Sequence, residues 1–317
     1  MSIVVAPGQG AQKPRMLAAW LTSPDHAEQI LAWSHASDTD LVQLGTKATA
    51  ETIQLTENAQ PLLVAQAILA ASVVTDDTSA IAGHSVGELA AACLAGALSP
   101  SDTVRLARAR GLAMAKACSA QPSAMAAVLG GEMSEVLADL RSRDIYLATV
   151  NGAGQLVAAG TEERIEDLVR QPPCGAAVRR LAVAGAFHTP YMNPARDEFR
   201  ATIAEVQFHD PRIPVIQNLD GALVTSGAEL RERLIEQITE PVRWDACMRR
   251  IAACSPDEVI CLPPAKVLSG LLRREFPDLP QRSISRPRDL VLCGPCVGRG
   301  WREVQAIDQE ETAHVGA

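Results

Sequence analysis

Residues 81–96 read IAGHSVGELAAACLAG. A serine, Ser85, lies between Gly83 and Gly87, at the end of a short apolar run and directly before an alanine-rich helix. Glycines on either side let the chain turn without Cβ clashes. GHSVG matches G-x-S-x-G, the strand–turn–helix elbow that lifts a serine hydroxyl above the edge of a sheet. The helix after it would point free N–H groups and its positive end at an oxyanion formed there. Taken alone, the stretch fits either an exposed nucleophile or a tight turn into a helix.

The flanking sequence supplies the context. Residues 2–6 (SIVVA) read as a buried strand running into the glycine-rich turn PGQGAQ. Residues 59–74 read as an apolar helix with Pro61 in its first turn. Ala80 to Gly83 forms a short strand and Gly87 to Leu98 a helix; Ser99 then caps a further helix with Pro100 at its first position. Strand and helix in alternation predict an α/β fold with a parallel sheet covered by helices. From 124 to 190 the rhythm changes. AMAAVLGG is strand-like, EMSEVLADLRSR an amphipathic helix, YLATVNGAGQLVAAG a hairpin, TEERIEDLVR a second helix and AVRRLAVAGAF a last strand. This βαββαβ order predicts a small inserted ferredoxin-like domain over 124–190. The larger domain is then assembled from 1–123 and 191–290, and 291–317 is expected to be a flexible tail.

Composition narrows the function. Thirty-seven acidic against 29 basic residues leave a net charge of −8, which argues against a general nucleic-acid binder. No run reaches the roughly 18 apolar residues of a membrane span, and MSIVVAPGQG lacks the basic start and long apolar stretch of a signal peptide. Eight cysteines, scattered singly except for Cys293 and Cys296, read as reduced thiols and so as a cytoplasmic protein.

A serine nucleophile needs a base. Of six histidines, His26, His35 and His314 fall in polar stretches, His209 in a loop, and His84 beside Ser85 on a turn where neighbours point apart. His188, closing the apolar run of AVAGAFHTPYM where the small domain rejoins the large one, fits either the base or a satisfied interdomain histidine. Arg110 stands out on its helix. Its neighbours three and four residues away are Leu106, Ala107, Ala113 and Met114, all apolar, whereas Arg105 and Arg108 read as solvated. A buried guanidinium needs a carboxylate, which is either a protein side chain or that of a substrate held bidentately.

PGQGAQ, GHSVGE at 83–88, an arginine twenty-five residues past the serine, NGAGQLVAAG at 151–160, GAFHTPYM and EQITEPVRW at 236–244 occur together in order. In this the chain closely resembles, over roughly residues 3–290, the malonyl-CoA:acyl carrier protein transacylases and the acyltransferase domains of fatty-acid and polyketide synthases. The resemblance implies a hydrolase-like α/β domain with a ferredoxin-like insert. It implies Ser85 as the acylated nucleophile, His188 as its base, and the backbone carbonyl of Gln237 orienting that histidine. It further implies an oxyanion hole from the N–H groups of Gln9 and Val86. Arg110 would clamp the malonyl carboxylate and Asn151 support the serine through hydrogen bonds. Val86 and Ala186-Phe187-His188 are of the malonyl-preferring type, with Phe187 filling the space a methyl branch needs. Malonyl-CoA and acyl carrier protein are the implied partners. No metal and no cofactor are expected, coenzyme A being part of the substrate.

Two features depart from the family. Pro263-Pro264-Ala265 replaces a G-P-G turn, and Cys293-Gly294-Pro295-Cys296 spells a redox motif without its usual strand and helix, so no redox role is expected. A serine esterase or thioesterase would ordinarily add an Asp or Glu to the dyad and has no reason to bury Arg110. A non-catalytic docking partner has no use for all three residues. The pairs Arg179-Arg180 and Arg273-Arg274 fit either a carrier-protein docking face or ordinary solvated charge.

Overall fold

The computed structural model describes residues 1–293. It is a mixed α/β fold with two sheets. The first is assembled from β1 (Ser2–Ala6), β2 (Thr78–Gly83), β7 (Val215–Ile216), β8 (Leu223–Val224), β10 (Glu258–Cys261) and β11 (Gln281–Ser283), in the order β11-β10-β1-β2-β7-β8. The five strands from β11 to β7 run parallel, and β8 is antiparallel at the edge. A sheet covered by helices on both faces needs apolar residues at every position, which explains the unbroken SIVVA. Val4 and Ala6 enter the core on one face, Ile3 and Val5 that on the other.

The second sheet has the order β6-β3-β5-β4-β9, where β3 is Ala124–Gly130, β4 Tyr146–Gly152, β5 Gln155–Gly160, β6 Ala176–Arg180 and β9 Val242–Arg243. Its first four strands pair antiparallel. The β4–β5 turn passes through Ala153 and Gly154, both at positive φ, as tight hairpin turns require. The helices Met133–Ser142 and Glu162–Arg170 cover one face, burying Val136, Leu140, Ile165 and Leu168 against Ala126, Val128, Leu156 and Ala158. Each such aliphatic side chain contributes about 1.5–3 kcal/mol. The opposite face is left to the cleft.

Several boundaries differ from the sequence reading. The small sheet takes its fifth strand, β9, from outside 124–190, pairing parallel to β4. The last strand ends at Arg180 instead of reaching Phe187. Its partner β3 begins at Ala124, so after Leu181 N–H donates to Met125 O no backbone remains to pair with. The helix expected over 59–74 spans Thr56–Leu69, putting Pro61 inside it. Proline lacks the N–H that would satisfy the carbonyl four residues back. That carbonyl, Glu57 O, accepts instead from Arg108 Nη1 at 2.7 Å, so Arg108 is a partly buried structural donor, not a solvated one. The helix after the elbow stops at Leu94, short of Leu98. A 3-10 helix, Pro287–Cys293, runs past the expected boundary at 290; the rest of the expected tail, with Cys296, lies outside the described residues. His26 is half-buried, its ring 5.7 Å from that of Trp20.

Candidate active site

The elbow sits at the carboxyl end of β2, where open parallel sheets bind their ligands. A Cβ on Gly83 would lie 2.0 Å from the carbonyl carbon of Gly87, and one on Gly87 would lie 2.6 Å from Ala6 O. Only glycine permits so close a return of the chain. Ser85 has φ of 54°, a left-handed conformation that side chains rarely adopt and that functional sites retain. Its N–H is held by Asn218 Oδ1 at 2.7 Å.

Ser85 Oγ lies 2.7 Å from His188 Nε2, and His188 Nδ1 lies 2.8 Å from Gln237 O. A carbonyl can only accept, so Nδ1 carries the proton and Nε2 presents a lone pair to the serine. Burial, and secondarily Arg110, push the His188 pKa down to about 3, so the ring is neutral at neutral pH. His188 itself has φ of 59° and stands in the segment after β6, not on a strand. His84 points away from Ser85, toward Asn151 Oδ1 at 3.1 Å.

Arg110 is 2% exposed, carried by the helix Pro100–Ala120 that Ser99 caps through Asp102 N–H. Arg105 on the same helix pairs with Asp102 at the surface. The Arg110 guanidinium donates to Gln60 Oε1 at 2.8 Å and Gln237 Oε1 at 2.9 Å, and Nη2 reaches to 3.4 Å of Ser85 Oγ. Burial draws its pKa down to about 10, opposed by Glu88, and the group stays charged. Among the described residues no carboxylate forms an ion pair with it. The N–H groups of Gln9 and Val86 have no acceptor among the described residues, and Gln9 anchors its side chain on Thr56 Oγ1.

Gln9, Ser85, Arg110, Asn151, Phe187 and His188 line one cleft of about 770 Å³ between the two sheets. Val86 and Gln237 lie just behind it, both buried. Asn151 therefore shares the cleft but reaches Ser85 only through its neighbour His84. Arg274 borders the mouth and donates to Gln155 Oε1, whereas Arg180 is occupied by Glu162 and Glu166.

Three participants escaped the sequence reading. Gln60 and Asn218 are polar residues inside or just after apolar runs, the signal by which each could have been found. Glu88, one turn past Ser85, is fully buried and accepts from Asn218 N–H at 2.5 Å and from Gln237 Nε2. Burial pushes its carboxyl pKa up to about 8, against the pull of those donors and of Arg110.

Known proteins resemble this chain over most of its length. Residues 3–285 match the family described as acyl transferase domain. A malonyl CoA-acyl carrier protein transacylase of Mycobacterium tuberculosis is 45% identical over 296 residues, covering 92% of this chain and 98% of the relative. One from Staphylococcus aureus is 33% identical over 310 residues, covering 95% and 98%. The crystal structure of MCAT from Mycobacterium tuberculosis superposes with a TM-score of 0.89 at 44% identity, over 92% of this chain and 99% of that one. A malonyl-transacylase solved in complex with a type II PKS acyl-carrier protein superposes at 0.84 and 27% identity, over 92% and 98%. An elbow serine, a neutral histidine and a buried arginine thus converge in one cleft of a chain that belongs to the acyl transferase domain family.

Proposed function

We propose that this protein transfers the malonyl group of malonyl-CoA to the phosphopantetheine thiol of acyl carrier protein, for fatty-acid or polyketide chain extension. The observation that carries the reading is Arg110: a buried guanidinium within 3.4 Å of the nucleophile, with only neutral amides in direct contact. A cation so placed calls for an acyl group bearing its own carboxylate. A simple esterase has no use for it.

The chemistry runs in two halves. Ser85 Oγ attacks the malonyl thioester carbonyl as its proton passes to His188 Nε2. The oxyanion is received by the N–H groups of Gln9 and Val86, the latter at the head of the helix Gly87–Leu94. Collapse expels coenzyme A as its thiol, protonated from His188, and leaves a malonyl-serine ester. The carrier's thiol then gives its proton to His188 and attacks that ester, regenerating Ser85. Gln237 O keeps the imidazole in the required tautomer, and Arg110 retains the carboxylate throughout. Asn151 supports the elbow through His84, and Phe187 occupies the room a methyl branch would need. No metal or cofactor has a part in this reading. The strand order β6-β3-β5-β4 supports reading 124–190 as a ferredoxin-like insert in a hydrolase-like domain formed from 1–123 and 191–290. Among the described residues no helix is long and apolar enough to cross a membrane, in keeping with a cytoplasmic enzyme.

Intact-mass measurement after mixing with malonyl-CoA alone, then with acyl carrier protein, tests the reading. One malonyl adduct on Ser85, discharged by the carrier, is expected. An adduct that decays in buffer as fast without any carrier would falsify it and favour a hydrolase.

A further inference from the structure

The arginine raises a question of charge. Arg110 is buried without an ion pair among the described residues, and its direct partners are two amide oxygens. The nearby buried carboxylate is Glu88, and Gln237 stands between them. Gln237 Nε2 faces Glu88 Oε2, Ser85 O at 3.0 Å and Asn218 Oδ1 at 3.2 Å, all acceptors, while its Oε1 faces Arg110 at 2.9 Å. The two ends of that amide are therefore chemically assigned. Glu88 also fixes Asn218 from the other side, accepting its backbone N–H, and Asn218 in turn holds the Ser85 N–H.

We propose that Glu88 is a positioning residue for acyl-group selection: it turns the Gln237 amide so that Oε1 holds the Arg110 guanidinium beside Ser85. This rests on the transferase reading above. A carboxylate bonded directly to Arg110 would have to be displaced by the substrate's own carboxylate, and breaking a buried pair is strongly unfavourable. An interposed amide aligns the guanidinium while leaving its charge for the ligand. At a pH above about 8, where the comparison is made, Glu88 is ionised and both its oxygens accept; Glu88→Gln keeps the shape but replaces one acceptor by a donor. The Asn218 N–H belongs to the main chain and cannot turn away, so the introduced oxygen must stay with it. The introduced NH2 then faces Gln237 Nε2, donor against donor. Relief comes from rotating the Gln237 amide, which presents its own NH2 to Arg110.

The test compares the rates at which malonyl-CoA and acetyl-CoA acylate Ser85, read by intact mass. It uses the parent, Glu88→Gln, Gln237→Leu and the double variant, each checked for folding by thermal melt. The leucine keeps the backbone carbonyl that binds His188. In Glu88→Gln the malonyl-to-acetyl ratio should fall at least roughly tenfold, as expected for losing one buried charge-assisted contact. Gln237→Leu should produce a similar fall, and the double variant none further, because both act on one contact. Equal slowing of both substrates, or losses that multiply in the double variant, would overturn the proposal. So would a raised ratio, the mark of a competing counter-charge. Should Glu88→Gln not fold, an unchanged ratio in Gln237→Leu would overturn it alone. A parent that forms no malonyl adduct would instead remove the transferase reading itself.

Discussion

On the large-sheet side of the cleft, Ser85, Glu88, Arg110, Asn218 and Gln237 form a buried polar cluster whose hydrogen bonds leave little freedom to any member. On the small-sheet side, Met125, Ala127, Val157 and Leu181 present a largely apolar wall, with Thr149, Asn151 and Gln155 as its polar points. The difference follows from backbone supply. Parallel strand ends and a helix N-terminus offer unpaired N–H groups, whereas an antiparallel hairpin sheet satisfies its own. Hydrogen-bonding groups thus collect on one wall and apolar shape on the other.

That contrast can be broken by experiment. The largest effect is expected from Arg110→Ala. Malonyl loading should fall by about 10²-fold or more, the scale of a buried charged hydrogen-bond partner, while acetyl loading falls much less. Comparable losses for both substrates in mass-resolved single turnovers would show the polar wall to be merely structural. Next comes pH. A histidine of ordinary pKa would leave only about 3% of the base at pH 5. With the His188 pKa lowered to about 3, loading should stay within about twofold between pH 7 and pH 5. His188 also makes stability depend on pH. Its folded pKa lies below the unfolded value near 6.5, so this contribution is complete above about pH 6.5 and is lost as pH falls toward 3. Thermal melts across that window check it. A smaller effect is expected on the shape side: Phe187→Ala should raise the methylmalonyl-to-malonyl loading ratio by about tenfold, since one methyl is worth about 1–3 kcal/mol in a pocket. An unchanged ratio would assign methyl discrimination elsewhere. Smallest are the caps. Ser99→Ala on the helix carrying Arg110 and Thr161→Ala on the small-sheet helix should each lower stability by about 1 kcal/mol without altering the malonyl-to-acetyl ratio. A changed ratio in Ser99→Ala alone would mean that the arginine is positioned by its helix rather than by Gln60 and Gln237.

How much of this is legible along the chain depends on the range of the interaction. Ser85 is readable because its elbow requires two glycines within five residues. Arg110 is readable because helix periodicity sets it among Leu106, Ala107, Ala113 and Met114, all of which are buried. His188 is found as the end of an apolar run, although the strand expected to carry it stops at Arg180 for want of a partner. Pro61 misleads, since its missing hydrogen bond is repaired by Arg108, fifty-one residues further from the freed Glu57 carbonyl.

Local pattern, by itself, determined the elbow, the cap at Ser99, the βαββαβ order and the inward face of Arg110. Each depends on residues within a turn or two of one another, where sterics and periodicity act directly. Tertiary structure alone decided the strand order β11-β10-β1-β2-β7, the recruitment of β9 to the small sheet and the neutral tautomer of His188. It also decided the Glu88–Gln237–Arg110 chain, which spans residues 149 and 127 positions apart. Burial and hydrogen-bond polarity act through space, and no spacing in the sequence records which distant donor will face which acceptor.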